Sequence, residues 1–277
     1  MSHAYPDALP AAPGAEVVVL DGAGVDGRLA PLDLRVGPGV LALLGANGAG
    51  KSTLLALMAG RLVPTGGRVW VVGAPARSQA AALARADVPQ TVAFPGRARV
   101  DELLGVARAS RGVGDGAVVD AIARMGLGPL LARRVSRLSG GERQRLALAS
   151  ALMGAPPVWF LDEPAASLDR EGLARLAAWV RAHAAAGGTV VVGAHRDEEV
   201  AAYAPRRLLR LEAGVVVGDE TGSPASSAAG PPASSAAGPP ASSAAGPPAS
   251  SAAAASDAAS PPASDAAGPQ DPTAGVD

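Results

Sequence analysis

This sequence predicts an α/β domain: a mostly parallel sheet covered by helices on both faces, with a helical insert near the middle. Three observations lead to it. Gly45-Ala46-Asn47-Gly48-Ala49-Gly50-Lys51-Ser52 reads G-x-x-x-x-G-K-S, the phosphate-binding loop, between an apolar run at 40–44 and an apolar-faced helix stopping at Gly60. Asp162-Glu163-Pro164 ends a second apolar run, residues 158–161. Strand and helix patterns alternate along the chain, except over residues 91–137, where the patterns are helical.

Residues 16–20, with three consecutive valines, read as a strand of β-branched type, followed by a Gly/Asp turn region at 21–27. Residues 32–36 alternate with period two, as a half-buried strand does. Gly37-Pro38-Gly39 then turns the chain into the strand that feeds the phosphate loop. Strands at 68–72 and 86–90 flank a short helix at 80–84. The helical subdomain, about 91–155, supplies helices at 100–109 and 117–125, a third helical piece at 130–135, and a helix through 146–152. A helix at 170–185, a strand at 189–193, a helix near 197–203 and strands at 207–211 and 215–217 complete the domain, 16–221.

Both flanks differ in composition. Residues 1–15, with Pro6, Pro10 and Pro13, read as a flexible leader. From Pro224 the octet Pro-Ala-Ser-Ser-Ala-Ala-Gly-Pro occurs three times without change. Its proline pairs break any helix the alanines favour, and nothing in it is large enough to offset the entropy of ordering. Residues 222–277 are therefore expected to form a disordered Pro/Ala/Ser/Gly-rich tail.

Charge and composition exclude several classes. The 277 residues carry 24 basic and 25 acidic side chains, a net charge of −1. Residues 222–277 hold four aspartates and no base, which leaves the rest only slightly basic. Without a basic surplus, no nucleic-acid partner is expected. There is no cysteine, hence neither disulfide nor thiolate metal site. No signal-peptide pattern opens the chain, and no apolar run approaches the roughly 18 residues of a membrane helix. A cytoplasmic protein is expected.

The chemistry starts at the phosphate loop. Glycines let the backbone wrap a phosphate chain, so the amides of Gly45, Asn47, Gly48, Ala49, Gly50, Lys51, Ser52 and Thr53 are the expected anion cradle. The helix N-terminus adds its partial positive charge. Lys51 is the sole lysine of the chain, the other basic residues being arginines. A compact ammonium suits a tight cradle where a wide guanidinium does not. Ser52 supplies a hydroxyl for Mg²⁺. At the end of the second strand, Asp162 would hold Mg²⁺ through water while Glu163 polarises the attacking water. Leu138-Ser139-Gly140-Gly141-Glu142 opens a helix, both as a capping box and as a second anion site.

These motifs, with Gln90, Ser167-Leu168-Asp169 and His195 in the same order, resemble the ATP-binding-cassette (ABC) ATPases over about residues 16–218. The resemblance implies a P-loop NTPase fold of the ABC nucleotide-binding type, with antiparallel N-terminal strands ahead of the mostly parallel sheet. It implies Mg-dependent ATP hydrolysis by a head-to-tail dimer, with ATP between the phosphate loop of one subunit and Ser139-Gly140-Gly141 of the other. Gln90 is then the sensor of Mg²⁺ and water, His195 the switch histidine near the γ-phosphate, and Asp169 the residue reaching across the dimer. One departure stands out: the family's base-stacking aromatic is missing between Asp21 and Arg28, and Val25 lies nearest its place. Another is Ala165-Ala166 after the Asp-Glu-Pro.

The implied role is the ATPase subunit of a transporter, peripheral at the inner face of the cell membrane, with a separate transmembrane permease subunit. About 85 residues separate Ser52 from Leu138 without sustained heptads, unlike the chromosome-acting relatives with long coiled coils. A single cassette set also differs from the ribosome-acting relatives. A cluster-assembly or lipid-linked cassette without transport is a third reading. The compact insert and residues 94–104 look like exporter-type drug and antibiotic subunits, with importers of metal chelates as the alternative.

Overall fold

The structure, a computed structural model, describes residues 16–221, which all fall in one compact unit. The expected leader and repeat tail lie outside the described residues. In chain order the elements are β1 (Val18–Val25), β2 (Leu29–Val36), β3 (Gly39–Leu44), α1 (Lys51–Met58), β4 (Gly66–Val71), β5 (Ala74–Pro75), α2 (Gln79–Leu83) and β6 (Arg85–Val88). There follow α3 (Val100–Arg111), α4 (Asp115–Met125), α5 (Gly140–Leu152), β7 (Val158–Asp162), α6 (Arg170–Ala185), β8 (Thr189–Ala194), α7 (Asp197–Tyr203), β9 (Arg207–Glu212) and β10 (Val215–Thr221).

The central sheet has the order β10-β9-β3-β8-β7-β6. The five strands from β9 to β6 pair in parallel, and β10 closes one edge antiparallel to β9. A second sheet, β2-β1-β4-β5, is antiparallel throughout, as the fold class requires of the N-terminal strands.

Period-two alternation splits the core into two layers. On β3, Val40, Ala42 and Leu44 face one layer, while Leu41 and Leu43 face the other. Trp159 and Leu161 of β7 join the first layer, Val158 and Phe160 the second. Both faces are thus apolar, which is why these parallel strands read as continuous apolar runs rather than alternating ones. Helix α1 and the antiparallel sheet cover the second layer; α3 to α7 cover the first.

Two local expectations are corrected. The turn expected at 21–27 is mostly strand: β1 continues to Val25 through register shifts after Leu20 and Ala23, and the chain turns only at 26–28. Gly22, at φ 55, takes the left-handed conformation that such a bulge uses. The helical piece expected at 130–135 is instead two short 3₁₀ turns, Gly128–Leu130 and Val135–Arg137. Between them, the carbonyls of Leu131 and Arg133 accept from the first amides of α3, Asp101 and Val100, at 3.1 Å each. Those carbonyls satisfy a neighbouring helix terminus rather than extending a helix of their own.

One core layer holds a titratable group. His183, in the last turn of α6, stacks on Trp159 with centroids 3.9 Å apart and planes 5° from parallel. Burial lowers its pKa, against a smaller opposing effect of the Pro157 carbonyl. As pH falls, the unfolded chain therefore takes up this proton first, near the ordinary histidine value of about 6.5. The stability of the neutral stack is complete above that value and is lost below it. Wild-type Tm is expected to drop more steeply than that of His183→Phe between about pH 7 and pH 5. Parallel slopes in a pH series of thermal melts would overturn this.

Candidate functional site

The phosphate loop joins β3 to α1. Gly50 serves as N-cap of α1 at φ 105, a conformation that side chains rarely adopt, and no side chain caps this helix. The first-turn amides of Lys51, Ser52 and Thr53 are left for an anion. They open into a cleft of about 640 Å³ lined by Asn47 to Thr53, Gln90, Glu163, Gly27, Arg28 and Ala213.

Lys51 is buried, and Nζ donates to the carbonyls of Gly45 (2.6 Å) and Ala46 (3.1 Å). It also lies 3.4 Å from Glu163 Oε1. Ser52 Oγ donates to Asp162 Oδ1 at 3.1 Å. Burial pushes the Asp162 carboxyl above its usual range; the bond from Ser52 opposes this, and the charge of Glu163 adds to it. A carboxylate that burial penalises, beside a hydroxyl, is a donor set suited to a hard cation that brings its own waters and substrate phosphates. Among the described residues no group of three or more His, Cys, Asp or Glu could hold a metal.

Glu163 stands just past the end of β7 with φ 47, an uncommon conformation for a residue with a side chain. Its amide donates to Gly193 O at 3.1 Å, which ties the residue to β8. Gln90 Nε2 donates to Glu163 Oε2 at 3.1 Å, and His195 Nδ1 lies 3.8 Å from the same oxygen. Chain segments 73 and 32 residues away in sequence thus converge on one carboxylate. Oriented this way, Glu163 can accept from a water while an anion occupies the α1 terminus.

Ser139, Gly140, Gly141 and Asp169 do not join this cleft. Ser139 caps α5: Oγ accepts from the Glu142 amide at 3.2 Å, and the Glu142 carboxylate accepts from the Ser139 amide at 2.6 Å. Gly141 is packed so closely that a Cβ would lie 2.7 Å from Ser167 O. Asp169 caps α6, with Oδ1 accepting from the Gly172 amide at 2.7 Å. Both capping roles are compatible with a second role toward another subunit.

Val25 is a correction. Its side chain is buried in the second core layer, so it is not the vacant wall of the cleft. The wall beyond the phosphate loop is Gly27, Arg28 and Ala213, which sequence spacing missed because β1 runs longer than its glycines suggest. A tyrosine at position 25 would overpack the core, so Val25→Tyr is expected to cost about 1–3 kcal/mol and to leave nucleotide affinity no tighter. With no ring among the described lining residues, ATP and GTP are expected to bind within about tenfold of each other, since base stacking contributes roughly 1–3 kcal/mol where it occurs. A larger preference in titrations with both nucleotides would require a base-reading group elsewhere.

A family profile described as "ABC transporter" matches residues 29–166. Over 223 residues the chain is 39% identical to the hemin import ATP-binding protein HmuV of Streptomyces coelicolor, a match covering 76% of this chain and 80% of that protein. It is 35% identical over 172 residues to the cytochrome c biogenesis ATP-binding export protein CcmA of Pseudomonas putida, covering 61% and 82%. Among solved structures, a dimeric ATP-binding cassette bound to ADP and Pi superposes with a TM-score of 0.66 at 21% identity, covering 74% of this chain and 98% of that one.

Proposed function

We propose, since the chain belongs to the ATP-binding-cassette family of ABC transporters, that its cleft binds ATP with Mg²⁺ and that hydrolysis there drives a membrane transporter. The convergence of Lys51, Ser52–Asp162 and Gln90–Glu163 at an uncapped helix terminus carries this reading. The loop amides and Lys51 bind the triphosphate. Ser52 and Asp162 would hold Mg²⁺, which neutralises charge on the phosphate oxygens. Glu163 orients the attacking water and accepts its proton, with Gln90 holding the carboxylate in place and His195 beside it as the switch histidine toward the γ-phosphate.

A head-to-tail dimer is supported by the placement of Ser139-Gly140-Gly141 outside their own phosphate cleft. They add to a phosphate site when a second subunit brings its own loop to them. A transmembrane permease partner is supported by the relatives, which include a hemin import ATP-binding protein and a cytochrome c biogenesis ATP-binding export protein. Its docking surface is proposed at the groove of about 430 Å³ between residues 87–94 and helices α3 and α5. That groove carries Val92 and Phe94 on the segment that also carries Gln90, so a partner seated there would act next to the Gln90–Glu163 hydrogen bond. In this reading the ATPase works at the inner face of the membrane.

The exporter lean of the sequence is not supported over import. The hemin importer matches the longer stretch and favours an import subunit, whereas the CcmA match favours export. Purification of the full chain with its membrane partner, then ATPase assays with Mg²⁺ and after chelation, tests the proposal. Turnover that needs Mg²⁺ and rises with the partner and its cargo is expected. A chain that binds no ATP, or hydrolyses it equally without divalent cations, would reject it.

A further inference from the structure

The proposed hydrolysis uses His195 but leaves unexplained a second acidic group near the same ring nitrogen. Glu199 is buried at 2% exposure, unusual for a glutamate, in the first turn of α7. Its two carboxylate oxygens are divided between partners. Oε1 accepts from the Arg196 guanidinium, Nε at 2.9 Å and the adjacent NH2 group closer still. Oε2 faces His195 Nδ1 at 3.9 Å. The same Nδ1 lies 3.8 Å from Glu163 Oε2, so two carboxylates share one ring nitrogen as neighbour, each just beyond hydrogen-bond distance.

We infer that Glu199 is a positioning residue for His195, holding the Nδ1–H of the imidazole when Glu163 turns to the attacking water. The inference rests on the reading of His195 given above. One N–H can serve one carboxylate well at a time, and Glu163 is needed elsewhere during turnover. Glu163 is also the more widely engaged of the two, with Lys51 and Gln90 on its oxygens. Glu199 cannot follow, because Arg196 pins its other oxygen and α7 fixes its backbone. A buried carboxylate beside one imidazole nitrogen selects the ring's tautomer and orientation without itself reacting. The i,i+4 spacing puts the histidine and the glutamate on one side of the chain as α7 begins.

A purely structural reading is available, since Glu199 also sits where an acidic group favours a helix N-terminus. The two readings part in kinetics. In the full-length chain, Glu199→Gln is expected to lower kcat about 10- to 100-fold, the range in which partners orienting an imidazole act. KM for ATP is expected to stay within about twofold, because the loss falls on the reacting geometry and not on binding. Glu199→Asp, which keeps the charge, is expected to recover most of kcat. In a His195→Ala background, Glu199→Gln is expected to add no further loss.

Should Glu199→Gln fail to fold, ¹⁵N spectra of the wild-type imidazoles decide the matter: the proton of His195 is expected on Nδ1. A proton residing on Nε2 alone would overturn the inference. So would a wild-type kcat for Glu199→Gln where His195→Ala is impaired, or equal losses from Glu199→Gln in both backgrounds. A wild-type kcat for His195→Ala would remove the reading of His195 itself, and this inference with it.

Discussion

Glu163→Gln is expected to bind ATP at close to wild-type affinity and to turn it over about 10²- to 10⁴-fold more slowly, the usual contribution of a positioned general base. The amide is isosteric, so the hydrogen bond from Gln90 Nε2 to the Oε2 position has a carbonyl acceptor available. What is lost is the charge 3.4 Å from Lys51 and the basicity that draws a proton from water. Lys51 divides its ammonium among Gly45 O, Ala46 O and Glu163. Neutralising Glu163 removes one competitor for that ammonium, so ATP binding is not expected to weaken. An ATP-bound dimer should accumulate, visible by size exclusion with and without ATP. Turnover within a few-fold of wild type would take the catalytic role away from Glu163.

Much of this cleft is legible in the sequence because its parts are local. A strand, a glycine-rich turn and a helix follow one another within 20 residues, and Asp162-Glu163 sits at the end of an apolar run that cannot be anything but buried. Gln90 and His195 were legible only through the order of motifs; alone, neither has a pattern that separates it from a surface residue. What failed depends on pairing between distant segments. The glycines of β1 read as a turn, yet its ladder to β2 and β4 continues through them by bulging. That error of a few residues moved the expected cleft wall from Arg28 to Val25. The 3₁₀ turns near Pro129 were missed for a similar reason: the carbonyls there bond to α3, a partner more than 25 residues upstream. Glu199 carried one faint signal, a His-x-x-x-Glu spacing across a helix start. Spacing alone does not say that the glutamate is buried.

Lys51→Ala and Ser139→Arg are expected to abolish turnover by different routes. Lys51→Ala removes a charged donor from the phosphate site, and hydrogen bonds to charged groups contribute about 1.5–3 kcal/mol. ATP binding to the isolated subunit should therefore weaken by about 10- to 150-fold. Ser139 lies outside that cleft, so Ser139→Arg should leave monomeric ATP binding unchanged while its bulk blocks the approach of a second subunit's phosphate loop. Ser139 also caps α5 through the Glu142 amide, so the substitution carries a stability cost unrelated to dimer formation. Loss of an N-cap serine costs about 0.5–2 kcal/mol. For a domain of this size that corresponds to a Tm shift of about 2–4 °C per kcal/mol. Ser139→Ala separates the two effects, since it loses the cap without adding bulk. It is expected to melt lower and still form the ATP-dependent dimer, whereas Ser139→Arg melts lower and stays monomeric. If Ser139→Arg weakened ATP binding by the monomer as much as Lys51→Ala, Ser139 would belong to its own chain's phosphate site, and the head-to-tail arrangement would be wrong.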